Sequence, residues 1–134
     1  MPKLTLCTNP MSRGRIARWM LEEVGQPYDT RIVAYGDEIK APEYLAINPM
    51  GKVPALLHGD SVVTECAAIV TYLADAFPEA GLMPADRAAF YRWMFFAAGP
   101  LEAAIIDRAL GVTVPEDKRA MVGYGDFDQA VRVL

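Results

Sequence analysis

The chain has 134 residues, 53% of them hydrophobic and 22% charged, with 17 acidic against 13 basic side chains for a net charge of −4. That length suits one ordinary domain, or a small domain with part of another, and the composition is that of a packed chain rather than a disordered one. A mildly acidic chain without a run of Lys and Arg is a poor wrapper of nucleic acid, and no apolar stretch nears the roughly 18 residues of a membrane helix.

The amino terminus, Met1-Pro2-Lys3, runs straight into a strand-like segment, which predicts no secretory leader and a cytoplasmic location. Residues 3–7 alternate polar and apolar, as a short strand does. The loop Thr8-Asn9-Pro10-Met11 follows. Ile16, Trp19, Met20 and Val24 then recur at helical spacing up to Gly25, a stop signal. Residues 28–33 read as a second strand. Residues 42–47 read as a short helix closed by Asn48-Pro49, because the residue before proline avoids the helical region. Residues 53–57 and 61–64 flank Gly59-Asp60, a hairpin signal. Ala68, Ile69, Leu73 and Phe77 mark a helix that Pro78 ends. The order β-α-β-α-β-β-α, a parallel unit followed by a hairpin and a closing helix, is the thioredoxin-like plan.

Residues 79–85 read as a linker between a first domain, 1–78, and a helical segment, 86–134. Phe90, Trp93, Met94 and Ala97 form an apolar stripe, and Gly99-Pro100 should kink the helix that carries it. Pro115, Glu116 and Asp117 predict a new helix start, and Tyr124, Phe127, Val131 and Leu134 carry helical spacing to the last residue. This pattern predicts a chain that stops inside a helical domain. The aromatic residues Tyr91, Trp93, Phe95 and Phe96 and the seven methionines read mostly as core. His58, beside the hairpin turn, reads as a surface residue. Cys7 and Cys66 have no metal-ligand spacing, and with a single histidine a zinc site is not expected.

Three segments carry the chemistry. They are Ser12-Arg13-Gly14-Arg15 with Trp19 to Glu23, the stretch Asn48-Pro49-Met50-Gly51-Lys52-Val53-Pro54-Ala55-Leu56, and Thr64-Glu65-Cys66-Ala67-Ala68-Ile69. In combination they resemble a bacterial glutathione transferase over essentially the whole chain. The resemblance implies a thioredoxin-like first domain, an all-helical second domain and a homodimer. It also implies glutathione as co-substrate without a further cofactor, and a small hydrophobic electrophile as its partner.

The resemblance makes Pro54 the cis-proline of the fold, with Val53 presenting its backbone to the cysteinyl part of glutathione; read from the residues alone, Pro54 fits an edge strand equally. It places the γ-glutamyl carboxylate at the helix that Glu65-Cys66 opens, where unpaired N–H groups and the helix dipole favour an anion. Glu65 would hold the ammonium group. Cys66 stands where the family usually has Ser, and its thiol is the weaker donor. The bland alternative is a solvated Glu65 and a small, packed Cys66. Lys52 and Lys40 map near the glycyl carboxylate, against the alternative of solvated surface lysines. Ser12, between the first strand and first helix, is the candidate donor to the substrate thiolate; it reads equally as an N-cap. Thr8 and Asn9 are rivals in the same loop, and Arg13 could add positive potential.

The chemistry expected is conjugation of glutathione to an electrophile. A disulfide reductase or peroxidase using the same site, and a binding module without turnover, are the alternatives.

Overall fold

The computed structural model describes residues 1–134, which divide into two compact units, Met1–Pro84 and Ala85–Leu134.

In the first unit the order is β1 (Leu4–Thr8), α1 (Gly14–Val24), β2 (Tyr28–Ile32), α2 (Pro42–Leu45), β3 (Ala55–His58), β4 (Ser61–Thr64) and α3 (Cys66–Ala76). The sheet runs β2-β1-β3-β4, with β1 parallel to β2 and both other pairings antiparallel. A parallel pair needs a crossover, which α1 supplies; an antiparallel pair needs only a tight turn, which Gly59-Asp60 supplies. The thioredoxin-like first domain expected from the element order is the one observed.

The pleat of the central strands sorts the core. Leu6 of β1 pairs with Leu56 of β3, and both are fully buried on one face. That face meets α1 and α3, which pack against each other and bury Ala17, Met20, Leu21, Val24, Ile69 and Leu73. The opposite face carries Cys7 and Ala55, which cluster with Val33, Ile39 and Tyr44. The α1 stripe is therefore shifted from the one the spacing suggests. Ala17 and Leu21 turn inward, while Ile16 and Trp19 stay out, with the Trp19 indole N–H bonded to Glu23 Oε1 at 3.1 Å. Two stripes overlap on this helix, and the one with the small residue fits closer to the sheet. Gly25 ends α1 at φ 72°, its N–H returning to the Leu21 carbonyl.

His58 does not behave as a surface residue. It is half-buried, its Nδ1 lies 2.8 Å from the Tyr72 hydroxyl, and its ring sits between Tyr72 and Phe77 at centroid distances of 5.9 and 5.6 Å. It points to the α3 face because Leu56, two residues earlier in the same strand, does.

The second unit holds α4 (Arg87–Phe96), α5 (Glu102–Ala109) and α6 (Phe127–Arg132). Asp86 caps α4, accepting from Ala89 N at 3.0 Å. Between α4 and α5 the chain does not break at Gly99-Pro100. It widens into a π turn, Ala97–Leu101, which takes Pro100 inside. The single long helix implied after Pro115 is absent. Glu116–Met121 is a 3₁₀ helix, Gly125 turns the chain at φ 68°, and Asp126 starts α6 afresh by accepting from Gln129 N at 2.8 Å. Two glycines, Gly123 and Gly125, interrupt what the apolar spacing alone would continue. Within this unit only Ala104 and Ala130 are buried. Tyr91, Trp93 and Phe95, expected in the core, are exposed, as are Met1, Met11, Met50 and Met121 among the methionines. No helix of either unit is long and apolar enough to cross a membrane.

Candidate functional site

Strand register gathers the three motifs. Cys7 lies opposite Ala55, and Ala55 opposite Thr64. The carboxyl end of β1, the start of β3 and the end of β4 thus share one end of the sheet. The loops that leave or enter there are the Asn9–Arg13 segment, the Asn48–Pro54 segment and the Glu65-Cys66 helix start. Cys66 Sγ donates to the Arg13 carbonyl at 3.5 Å, which ties the first segment to the third.

The first loop is pinned at many points. Asn9 Nδ2 donates to the Val33 carbonyl at 3.0 Å, while its Oδ1 accepts from Met11 N at 3.0 Å. The Tyr35 hydroxyl donates to the Met11 carbonyl at 3.0 Å, and Arg15 Nε to the Pro10 carbonyl at 3.0 Å. Ser12 Oγ donates to the Asn9 carbonyl at 2.6 Å and accepts from Gly14 N at 3.0 Å. The N-cap of α1 is Arg13, whose side chain makes no cap bond, so Ser12 satisfies a helix-start N–H from one position earlier. A hydroxyl has one hydrogen. Here it is directed at Asn9, and Ser12 must rotate before it can donate to a ligand. Thr8 is buried at the end of β1, and its side chain faces Gly14.

The second loop is built around Asn48, 3% exposed, and Tyr44, fully buried. Asn48 Oδ1 accepts from Met50 N at 3.1 Å, and Gly51 N returns to the Asn48 carbonyl at 2.8 Å. The Val53–Pro54 peptide is cis, as the resemblance implies. Val53 is half-buried, and neither its N–H nor its carbonyl has a hydrogen-bond partner in the protein. Lys52 is exposed; Lys40 is held by loop carbonyls. Tyr44 and Asn48 carry no signal in the alternation or helical period. An asparagine before Pro-x-Gly, however, has both amide groups free to close a loop.

Burial pushes the Tyr44 hydroxyl up to about 12. A phenol whose pKa rises on folding contributes stability that is full below its unfolded value near 10 and is lost as pH climbs toward 12. Two units correspond to roughly 3 kcal/mol. Alkaline unfolding followed by circular dichroism should therefore steepen above about pH 10, and Tyr44→Phe should flatten that limb.

At the third segment Glu65 is exposed and has φ 72°, ψ 125°, the one non-glycine residue with positive φ. Such a conformation costs of the order of 1–3 kcal/mol and concentrates at ligand sites. It turns the chain sharply from β4 into α3. The first intrahelical bond there is Ile69 N to the Glu65 carbonyl, so the N–H groups before Ile69 have no helical acceptor and offer an anion their positive end. Cys66 is half-buried at this start. Cys7 lies on the α2 face, fully buried, and desolvation pushes its thiol up against a smaller lowering effect of Arg31. A buried, protonated thiol is a poor nucleophile.

One end of a thioredoxin-like sheet thus presents an unpaired backbone edge beside a cis-proline, a helix start whose first N–H groups lack helical acceptors, and a hydroxyl in the first loop. The profile of the glutathione S-transferase N-terminal domain matches residues 11–76. Glutathione S-transferase 1 of Dianthus caryophyllus is 51% identical over 45 residues, covering 34% of this chain and 20% of that protein. A glutathione transferase homologue from Sulfitobacter, solved with bound glutathione, superposes with a TM-score of 0.70 at 31% identity, covering 99% of this chain and 64% of that one. The theta-class enzyme of Xanthomonas axonopodis pv. citri, also with glutathione bound, gives 0.72 at 32% identity, covering 99% and 65%. The chain therefore spans about two thirds of these solved proteins and a smaller part of the curated relative. The matched profile and the thioredoxin-like sheet lead to one family: residues 11–76 belong to the glutathione transferases, as their N-terminal domain.

Proposed function

We propose that this chain binds glutathione at the sheet end described above and activates its thiol for attack on a small apolar electrophile. The observation that carries the reading is the unpaired N–H and carbonyl of Val53 at the same end of the sheet as the start of α3. An extended cysteinyl residue would pair with Val53 as an added strand does. Its γ-glutamyl carboxylate would then meet the α3 start, with the backbone N–H groups and, once turned off the Arg13 carbonyl, the Cys66 thiol as donors, and Glu65 facing the ammonium group. Lys52, exposed beside this edge, completes the set at the glycyl end.

The thiol of glutathione ionises near 8.5, so roughly 3% is thiolate at neutral pH. A hydrogen bond to the charged sulfur contributes about 1.5–3 kcal/mol, which lowers that pKa by about one to two units. Ser12, rotated off the Asn9 carbonyl, is the proposed donor, with Arg13 adding positive potential. The thiol proton passes to water, the thiolate forms the new C–S bond, and the leaving group departs with its electron pair. Thiol-transfer chemistry through Cys7 is disfavoured by its burial. The reading carries with it the family's homodimer and a cytoplasmic, detoxifying role.

Titration calorimetry with glutathione should register association at millimolar concentration or below, and glutathione with an activated aryl halide should turn over. Absence of binding would remove the reading; binding without turnover of halide, disulfide or hydroperoxide would leave a non-catalytic module.

A further inference from the structure

We infer that Lys40 and Tyr44 are positioning residues that act on glutathione through the backbone of residues 50–53, without touching it. This inference rests on the glutathione site proposed above. Three successive carbonyls of that loop are held by side chains of the protein itself. Lys40 Nζ donates to the Met50 carbonyl at 3.2 Å and the Gly51 carbonyl at 2.9 Å. The Tyr44 hydroxyl donates to the Lys52 carbonyl at 2.7 Å, and Asn48 Nδ2 to the same oxygen at 2.9 Å.

The consequence for Val53 follows from the peptide plane. Only the Val53–Pro54 bond is cis, so the Lys52–Val53 peptide is trans. In a trans peptide the C=O and the N–H point in opposite directions. Two donors that fix the Lys52 carbonyl toward the protein therefore fix the Val53 N–H away from it, where it has no partner. Tyr44 and Asn48 set the aim of the edge on which the cysteinyl residue would pair.

Lys40 secures the same loop one step earlier. Gly51 sits at φ 58°, and a Cβ there would stand 2.7 Å from Lys40 Nζ, 2.9 Å from its Cδ and 3.0 Å from the Ile39 carbonyl. The lysine stem lies flat against the glycine, with its ammonium engaged by two neighbouring carbonyls. This is the geometry of a loop clamp. A glycyl carboxylate could take this ammonium only in competition with those two carbonyls.

Binding of two ligands to three proteins separates the roles. Glutathione and γ-glutamylcysteine, which lacks the glycyl carboxylate, are titrated into wild type, Lys40→Met and Tyr44→Phe by calorimetry. Each lost hydrogen bond should weaken glutathione by about threefold to tenfold, and γ-glutamylcysteine by the same factor. If the Lys40→Met penalty vanishes with the dipeptide, Lys40 is a direct carboxylate ligand and its positioning role is wrong. Affinities unchanged in both variants overturn the inference for both residues. Wild-type protein that binds neither ligand overturns the site itself, a distinct result. Lys40→Met retains the stem against Gly51, so it decides the question even if Tyr44→Phe proves too unstable to assay.

Discussion

Ser12→Ala should lower turnover of glutathione with an aryl halide by more than tenfold, while the affinity for glutathione changes by less than about twofold. The asymmetry comes from what the hydroxyl would touch. Ser12 Oγ bonds within its own loop, to the Asn9 carbonyl and Gly14 N, so ligand affinity does not depend on it directly. The stabilisation is realised only when the sulfur carries charge, and an interaction made with the thiolate alone acts on rate. Losing a charge-assisted bond of about 1.5–3 kcal/mol corresponds to a factor of roughly ten to a hundred. Ultraviolet absorbance of the bound thiolate against pH supplies the second readout. Its midpoint should move up toward the value of free glutathione. Equal turnover in both proteins would take Ser12 out of the mechanism and leave Thr8, Asn9 or the loop backbone as donors.

Gly14→Ala is expected to be the more damaging change although it adds a single methyl group. Gly14 is buried at the first position of α1, and a Cβ there would collide with Thr8 Oγ1 and stand 2.9 Å from Ser12 Oγ and 3.1 Å from Thr8 Cβ. Overpacking of this kind costs about 1–3 kcal/mol where the surroundings can shift. Here the side chains that must shift belong to β1 and to the loop that carries the proposed thiolate donor. Both the thermal midpoint and turnover should fall. Thr8→Ala in the same chain removes the nearest atom, so the double variant should recover part of the lost stability. A strictly additive double variant would show that the collision is not the cause.

Much of this arrangement is legible in the sequence, and the legible part is local. The Asn48 to Leu56 stretch combines proline, glycine and an asparagine in an order that tolerates few conformations, and its likeness to the family leads to the observed cis peptide. The strands flanking Gly59-Asp60 follow from alternation and turn chemistry. What escapes depends on partners distant in the chain. His58 reads as exposed because its neighbours are turn residues, yet Tyr72 and Phe77 enclose it from α3. Tyr44 falls within the short helix expected over residues 42–47, and nothing local shows that its hydroxyl reaches the Lys52 carbonyl. The direction of the Ser12 hydroxyl is a rotamer choice, set by a carbonyl three residues back, and no pattern of residue types encodes it. The helix expected after Pro115 fails for a different reason: apolar spacing persists through Gly123 and Gly125, whose backbone does not hold the helical path.

The π turn at Ala97–Leu101 has a consequence for how α5 presents its side chains. A wider turn takes in about one more residue than an α turn, and one residue amounts to roughly 100° of rotation about the axis. Beyond Pro100 every side chain is therefore out of phase with the face that α4 would project onward. Ala104 is the residue brought to the interior. A helical wheel drawn unbroken from Arg87 to Ala109 would put the wrong residues on the same side, and a loss or gain of one residue within this turn is the length change the helix is best able to absorb.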